Sequence, residues 1–472
     1  MTARLVIRRR IGDIETPVGA MLKLGAELPG SFLFESIAGG ERLGRYSFIG
    51  IEPGRWFRIQ NGVAETSHTA DFSGATTESG TPIEALRRFV NSARAEAPAG
   101  IPPMASGAFG YLGYDMIQYV EPVAITKPDM LGVPDALLLV PRVVVIFDHL
   151  YQELVLVGRE EDGVSVDGLL DEVELRLERL ASIPPKDGAP KPVEIKSDTS
   201  QERYFEIVET CRDYIKAGDI FQVVPSQRFT TPFNRKPISF YRALRRLNPS
   251  AFMFHMNLGS VCLVGSSPEI LVRVRDGRVA IRPIAGTRPR SGDPEEDARR
   301  AEDLLADPKE RAEHLMLLDL GRNDVGRVAA YGSVTVTERF VVERYSHVMH
   351  IVSHVEGDLR EGLDAVDALL AGFPAGTVSG APKIRAMQII NEVETSRRGI
   401  YGGAVGYFGW NGDLDTCIAL RTAVIKDGQL HIQAGGGVVL DSVAQYEYDE
   451  TVHKSGALRR AAELSAAYEF DQ

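Results

Sequence analysis

The order of elements read along the chain predicts an α+β protein with large, mainly antiparallel sheets. Three observations point there. The first ~180 residues read mainly as short strands punctuated by glycine-rich turns. The remainder mixes strands with amphipathic helices in no strict βαβ alternation. A chain of 472 residues with 44% hydrophobic and 25% charged residues has globular proportions, which excludes global disorder and leaves ample length for a core.

Gly39-Gly40 and Gly50 through Gly54 mark early turns. A helix is expected from about Val166 to Leu180, because Leu169, Leu170, Val173, Leu177 and Leu180 share one face. The prolines and charges of residues 183–192 then signal a linker. The division is an N-terminal part at 1–183, a linker at 184–199 and a C-terminal part at 200–472, the two parts forming one composite unit.

The second part opens on a helix. Thr199 and Glu202 stand at capping-box spacing, Tyr204, Ile207, Val208, Cys211 and Ile215 form its apolar stripe, and Gly218 is its stop. Strand-like runs fall at 219–229, 252–257, 261–265, 270–282, 332–338 and 347–356. Helices are expected at 294–305, 308–320, 364–371, 382–393 and 445–466. Hairpin strands at 402–410, 416–425 and 429–439 are separated by Asn411-Gly412 and Asp427-Gly428.

A net charge of −12 argues against nucleic acid or an anionic membrane surface as the main partner, since both need a basic face. Cys211, Cys262 and Cys417 are too few and too scattered for a disulfide framework or a zinc site, so reduced, buried thiols are expected. The N-terminal MTARLVIRRR lacks a following apolar stretch of signal-peptide type. No apolar run reaches the ~18 residues needed to span a bilayer; the strongest candidate, Ala136 to Phe147, is split by Pro141 and Arg142. A cytoplasmic enzyme is the expectation.

Paired acids carry the most suggestive chemistry. Glu310 and Glu313 are three apart in a helix introduced by Pro308, and Glu447 and Glu450 are three apart near the start of the last helix. Residues three apart share a helix face, and Lys454 extends the second face by one turn. Two such faces turned toward each other would gather four carboxylates and call for a hard cation such as Mg²⁺. Spacing alone points more often to two solvated charged faces, the usual fate of helical glutamates. Two glycine loops, residues 373–383 and Ala434-Gly-Gly-Gly437, could bring backbone N–H groups close to an anion. Arg421 sits in an apolar run and would be expensive to bury without a carboxylate. His350 stands where strand alternation points it opposite Met349 and Ile351, as a satisfied core residue or a general acid or base.

At these segments the chain resembles the chorismate-utilising enzymes, and within them the branch that aminates the ring at C2. The resemblance runs from Phe34-Glu35-Ser36 to the final helix. It is carried by Gly218-Asp-Ile-Phe-Gln-Val-Val224, Ser267-Pro-Glu269, Pro283-Ile-Ala-Gly-Thr-Arg-Pro289, residues 313–324, residues 374–383 and Asp415 to Thr422. It implies a chorismate-binding fold, with two antiparallel sheets packed face to face and helices outside. It implies Glu313 and Glu450 as Mg²⁺ ligands, supported by Glu310 and Glu447, with the metal on the ring carboxylate of chorismate. Lys454, Gly435, Gly436 and Gly437 would hold that carboxylate, and Tyr401 and Arg421 the enolpyruvyl carboxylate. Thr287, Thr377, Glu269 and Gln222 would line the pocket.

The implied reaction adds ammonia at C2 with loss of the C4 hydroxyl, then eliminates pyruvate to leave anthranilate, the first committed step of tryptophan biosynthesis. Hydroxide leaves poorly, so an acid is needed, and Glu310 is the candidate. His350 matches the family histidine of the pyruvate-elimination half. Ala285 replaces the nucleophilic lysine of aminodeoxychorismate synthase component I, and Gln222 replaces the water-activating lysine of isochorismate and salicylate synthases; neither side chain can do those jobs. That synthase and a non-catalytic tryptophan-binding regulator on the same fold are the alternatives. A glutamine amidotransferase domain would need roughly another 200 residues, so a separate subunit should supply ammonia, in a heterotetramer by family analogy. Glu35, Ser36, Ala251, Phe252, Met253 and Tyr407 resemble the family's tryptophan feedback pocket, with Ala251-Phe252 in place of its Pro-Tyr.

Overall fold

The computed structural model describes residues 3–36, 44–161, 163–180, 189–345 and 348–469. The Gly39-Gly40 turn and the linker residues 184–188 lie outside the described residues.

Two long strands, Tyr46–Gln60 and Ala136–Asp148, pair along their length and run through both layers of the molecule. Their register shifts between Pro53 and Arg55, opposite Pro141 and Val140. Proline has no N–H to give to a ladder, so the irregularity falls where the prolines face each other. On one side of it, Phe32–Glu35 joins the ladder, followed by Phe252–Asn257, Cys262–Ser267, Thr422–Lys426, Gln429–Gly435 and Ser226–Pro232. On the other side, Gly107–Leu112 leads to Ala404–Gly409, Leu414–Ile418, Ile270–Arg275, Arg278–Ile281 and Val348–Asp358. All of these pairings are antiparallel. Both layers combine strands from before and after residues 184–199, joined at the Phe32–Glu35 pairing with Phe252–Asn257 in the first and the Gly107–Leu112 pairing with Ala404–Gly409 in the second.

An aromatic core that includes Phe32, Phe34, Phe48, Phe109, Phe254 and Tyr407 fills the space between the layers. The Phe32 and Phe109 rings stack at 4.7 Å. The outer face of the first layer is covered by helices Pro17–Leu24, Asp167–Leu177, Pro237–Leu247 and Ala444–Leu464. The second layer is covered by Pro82–Ser92, Gln201–Lys216, Pro308–Val328, Ala365–Gly372 and Lys383–Val393. The fold is therefore the expected α+β sandwich of antiparallel sheets with helices outside.

Local readings differ in instructive places. Helices Pro17–Leu24 and Pro82–Ser92 break the strand-rich N-terminal half, each opened by a threonine cap and a first-turn proline. The helix expected to reach Leu180 ends at Leu177, and Leu180 is 98% exposed. Ser200, not Thr199, caps the next helix by accepting the Arg203 N–H, while Gly218 follows it with φ +82°. The run 416–425 is two strands, Leu414–Ile418 and Thr422–Lys426, because Arg421 between them takes a left-handed φ of +47°. Burial pushes the Cys211 and Cys417 thiols up to about 12 and Cys262 well above its usual value, and all three are free. Among the described residues no helix is long and apolar enough to cross a membrane.

Candidate active site

Two helices bring the acids together. Asp307 caps Pro308–Val328, accepting the Lys309 and Glu310 N–H groups at 2.9 and 3.3 Å, so Glu310 lies in the first turn and Glu313 one turn on. Glu447, Glu450 and Lys454 lie along Ala444–Leu464. Burial pushes Glu313 above the usual carboxylate range, and the charges of Glu310 and Glu450 push the same way. Burial and Glu450 do the same to Glu447, whose Oε2 is buried with no hydrogen-bond partner. Gln222 Nε2 donates to Glu313 Oε1 at 3.4 Å. Lys454 Nζ stands 2.6 Å from Glu450 Oε1 and donates to Gly435 O at 3.0 Å. Glu310 accepts from Arg288 Nη1 at 3.0 Å.

Among the described residues no three acidic, His or Cys side chains converge closely enough to hold a metal ion as they stand. The chemistry of the set nevertheless fits a hard divalent cation. Its oxygens are unbalanced in charge, and the orphaned Glu447 Oε2 lacks the donor that burial demands.

The glycine run after Gln429–Gly435 forms a tight wall. A Cβ on Gly435 would lie 3.0 Å from Tyr401 Oη, on Gly436 3.1 Å from Glu447 Oε2, and on Gly437 2.6 Å from Gln222 Nε2. The Gly436 N–H already donates to Pro225 O at 3.2 Å. Opposite, Thr377 Oγ1 donates to Glu269 Oε1 at 2.9 Å. Glu269 is buried, and burial pushes its carboxyl up to about 8 against hydrogen bonds from Thr377 and the Ile284 backbone.

The strand Val348–Asp358 buries Met349 and Ile351 and leaves His350 half-buried, which matches the alternation read from sequence. His350 Nδ1 lies 2.7 Å from Gly286 O and 3.1 Å from Thr287 Oγ1. A carbonyl only accepts, so Nδ1 carries the proton and Nε2 is left as the acceptor. Burial holds His350 below its ordinary pKa, and the nearby Arg421 charge adds to this. Burial alone pulls the Arg421 guanidinium down, and no acidic partner for it stands among the described residues. Tyr401 is buried too, its phenol pushed up to about 12.

The residues matched to a tryptophan pocket come from both layers, Glu35 and Met253 from the first and Tyr407 from the second. Glu35 and Met253 are paired across neighbouring strands. Glu35 accepts the Tyr241 hydroxyl and Arg245 Nε and Nη2, the latter two at 2.9 and 3.0 Å. The pleat places Met253 on the helix-covered face, whereas Phe252 and Tyr407 join the inter-sheet core. Tyr407 accepts from Arg275 Nη2 at 2.8 Å and meets Phe48 edge-on at 5.6 Å. Ser36 and Ala251 are half-buried beside them.

Sequence reasoning passed over Arg288, Arg398 and Glu394. Arg288 bridges Asp303, Asp307 and Glu310. Glu394 and Arg398 form a buried ion pair at 2.6 Å, whose signal was an acid and an arginine four apart in a segment lacking other helix markers.

A profile of chorismate binding enzymes matches residues 39–460. Anthranilate synthase component 1 of Cereibacter sphaeroides is 52% identical, covering 98% of this chain and 94% of that protein. The protein of the same description from Thermus thermophilus is 48% identical, covering 97% of each. Among solved structures, anthranilate synthase component I from Streptococcus pneumoniae superposes with TM-score 0.79 at 37% identity, covering 96% of this chain and 99% of that one. The menaquinone-specific isochorismate synthase of Escherichia coli, at TM-score 0.74 and 20% identity over 98% of this chain and 94% of its own, shares the fold.

Proposed function

The chain belongs to the chorismate binding enzyme family, and we propose that it converts chorismate and ammonia to anthranilate and pyruvate. The observation that carries the reading is Arg421: a half-buried, largely desolvated guanidinium with no acidic partner among the described residues, beside a neutral His350. Such a charge asks for an anion from outside the chain, and the enolpyruvyl carboxylate, gripped also by Tyr401, supplies it. Mg²⁺ held by Glu313 and Glu450, with Glu310 and Glu447 in support, would neutralise the ring carboxylate. With the Gly436 amide engaged, the remaining grip on that carboxylate falls to Lys454 and the Gly437 end of the loop.

Ammonia then adds at C2 as the C4 hydroxyl leaves. Glu269 is better placed than Glu310 to protonate that hydroxyl: it is a neutral acid at pH 7, oriented by Thr377, whereas Glu310 is engaged by Arg288. His350 Nε2, kept basic by the Nδ1 bond to Gly286 O, takes the C2 proton as the enolpyruvyl group departs. Thr287 steadies that ring and Gln222 holds Glu313.

Component 1 relatives imply a second component. A separate glutamine amidotransferase subunit supplies the ammonia in this reading, in a cytoplasmic heterotetramer. The rival, aminodeoxychorismate synthase, is disfavoured by Ala285, which offers no nucleophile. One assay separates the readings: purified protein, chorismate, Mg²⁺ and ammonium at alkaline pH, with products resolved by chromatography. Anthranilate plus pyruvate is expected. Aminodeoxychorismate alone would establish the rival, and no turnover despite tryptophan binding would establish a regulator.

Tryptophan inhibition follows from the same reading. Calorimetry should show tryptophan binding that Glu35→Gln weakens by about tenfold, the order of one lost charge-assisted hydrogen bond. Unchanged activity at saturating tryptophan, together with no binding heat, would refute it.

A further inference from the structure

Arg398 is not among the positions assigned to substrate, yet it packs on one of them, Tyr401, and bonds the backbone beside two others. It is 2% exposed. Nη1 donates to Val378 O at 2.6 Å, next to Thr377. Nη2 donates to Val224 O at 2.6 Å, two residues beyond Gln222, and to Glu394 Oε1 at 2.6 Å. Nε reaches both Glu394 oxygens at 3.2 and 3.1 Å. The guanidinium carbon lies 5.4 Å from the Tyr401 ring centroid and 4.6 Å from that of Tyr114. Glu394 Oε1 in turn accepts the Ser226 N–H and hydroxyl, both at 2.8 Å.

These acceptors belong to chain segments far apart in sequence. The planar fork of Arg398 spends its N–H groups on two carbonyls and one carboxylate, and its face packs on two rings. A buried charge of this kind is poor value for stability, because desolvation offsets much of its attraction. Its geometry, however, suits relative placement. We propose that Arg398 is a positioning residue, which sets the Gln222, Thr377 and Tyr401 walls of the chorismate pocket relative to one another. It acts through those residues and not on the substrate. A lysine would keep the charge beside Glu394 but cannot reach both carbonyls at once.

The proposal rests on the reading that those three residues line the substrate pocket, so the test separates the two. In Arg398→Lys, with ammonium as nitrogen source, KM for chorismate should rise by about tenfold or more while kcat falls less, the pattern of misplaced binding groups. Amide hydrogen exchange, which needs no turnover, should quicken in segments 222–226 and 376–380 and stay unchanged in Cys262–Ser267. Wild-type KM and wild-type exchange in that variant would overturn the proposal. So would a loss of kcat at unchanged KM that tracks the folded fraction. If Arg398→Lys fails to fold, Glu394→Gln, which keeps the hydrogen-bonding oxygen but drops the charge, must show the same KM rise and exchange pattern. Wild-type protein that turns over no chorismate would instead refute the functional reading, leaving the exchange result to decide the positioning role.

Discussion

Glu269→Gln should lower kcat for anthranilate formation by about 10²–10⁴-fold, the range of a lost general acid, with KM for chorismate little changed. The side chain keeps its shape and its bond with Thr377 but can no longer deliver a proton to the departing hydroxyl. The carboxyl is buried and pushed from 4.5 up to about 8, so it is protonated at neutral pH. Between 4.5 and about 8 the folded state holds a proton that the unfolded state has lost. This group therefore favours the fold least at the alkaline end, and its contribution falls as pH rises through that window. Activity per free ammonia should fall above about 8 in the wild type and lose that limb in Glu269→Gln. Glu310→Gln, whose carboxylate is tied to Arg288, should retain the limb. A Glu269→Gln enzyme with wild-type kcat, or a limb lost only in Glu310→Gln, would return the acid role to Glu310.

Arg421→Met should separate activity from stability in opposite directions. If Arg421 faces the enolpyruvyl carboxylate as proposed, its loss removes about 2–5 kcal/mol of binding, so KM should rise by about 30-fold or more, read by initial rates. The unliganded protein should melt at a higher temperature than the wild type. An arginine desolvated without an acidic partner is a cost in the folded state, and an apolar chain of similar size removes it. A lower melting temperature would mean that the guanidinium is satisfied in the free protein. Unchanged KM would mean that it does not face the substrate.

Local elements of this fold were legible because their signals are local. The stripe Tyr204, Ile207, Val208 and Cys211 is buried along Gln201–Lys216, as its 3.6-residue period requires. The helices Pro17–Leu24 and Pro82–Ser92 were within reach of the same reasoning through their threonine caps and first-turn prolines, and short apolar runs obscured them. Strand partnership was not legible. That Phe32–Glu35 pairs with Phe252–Asn257, some two hundred positions away, depends on which hydrophobic faces close the core. The site divides in the same way. The i, i+3 glutamates were visible as two faces, but only packing set Glu450 near enough for its charge to act on Glu313 and left Glu447 Oε2 without a donor. Arg421 read as a strand residue, because nothing in an apolar run announces the left-handed backbone that breaks the strand.

The sequence by itself determined which groups this protein has to work with and the period on which each is displayed, because helix and strand geometry repeat over a few residues. Only the tertiary structure decided their states. A carboxyl becomes an acid at pH 7, a histidine stays neutral and an arginine meets no acid among the described residues, according to the water removed around them and the charges brought near. Those neighbours come from segments that only the folded chain brings together.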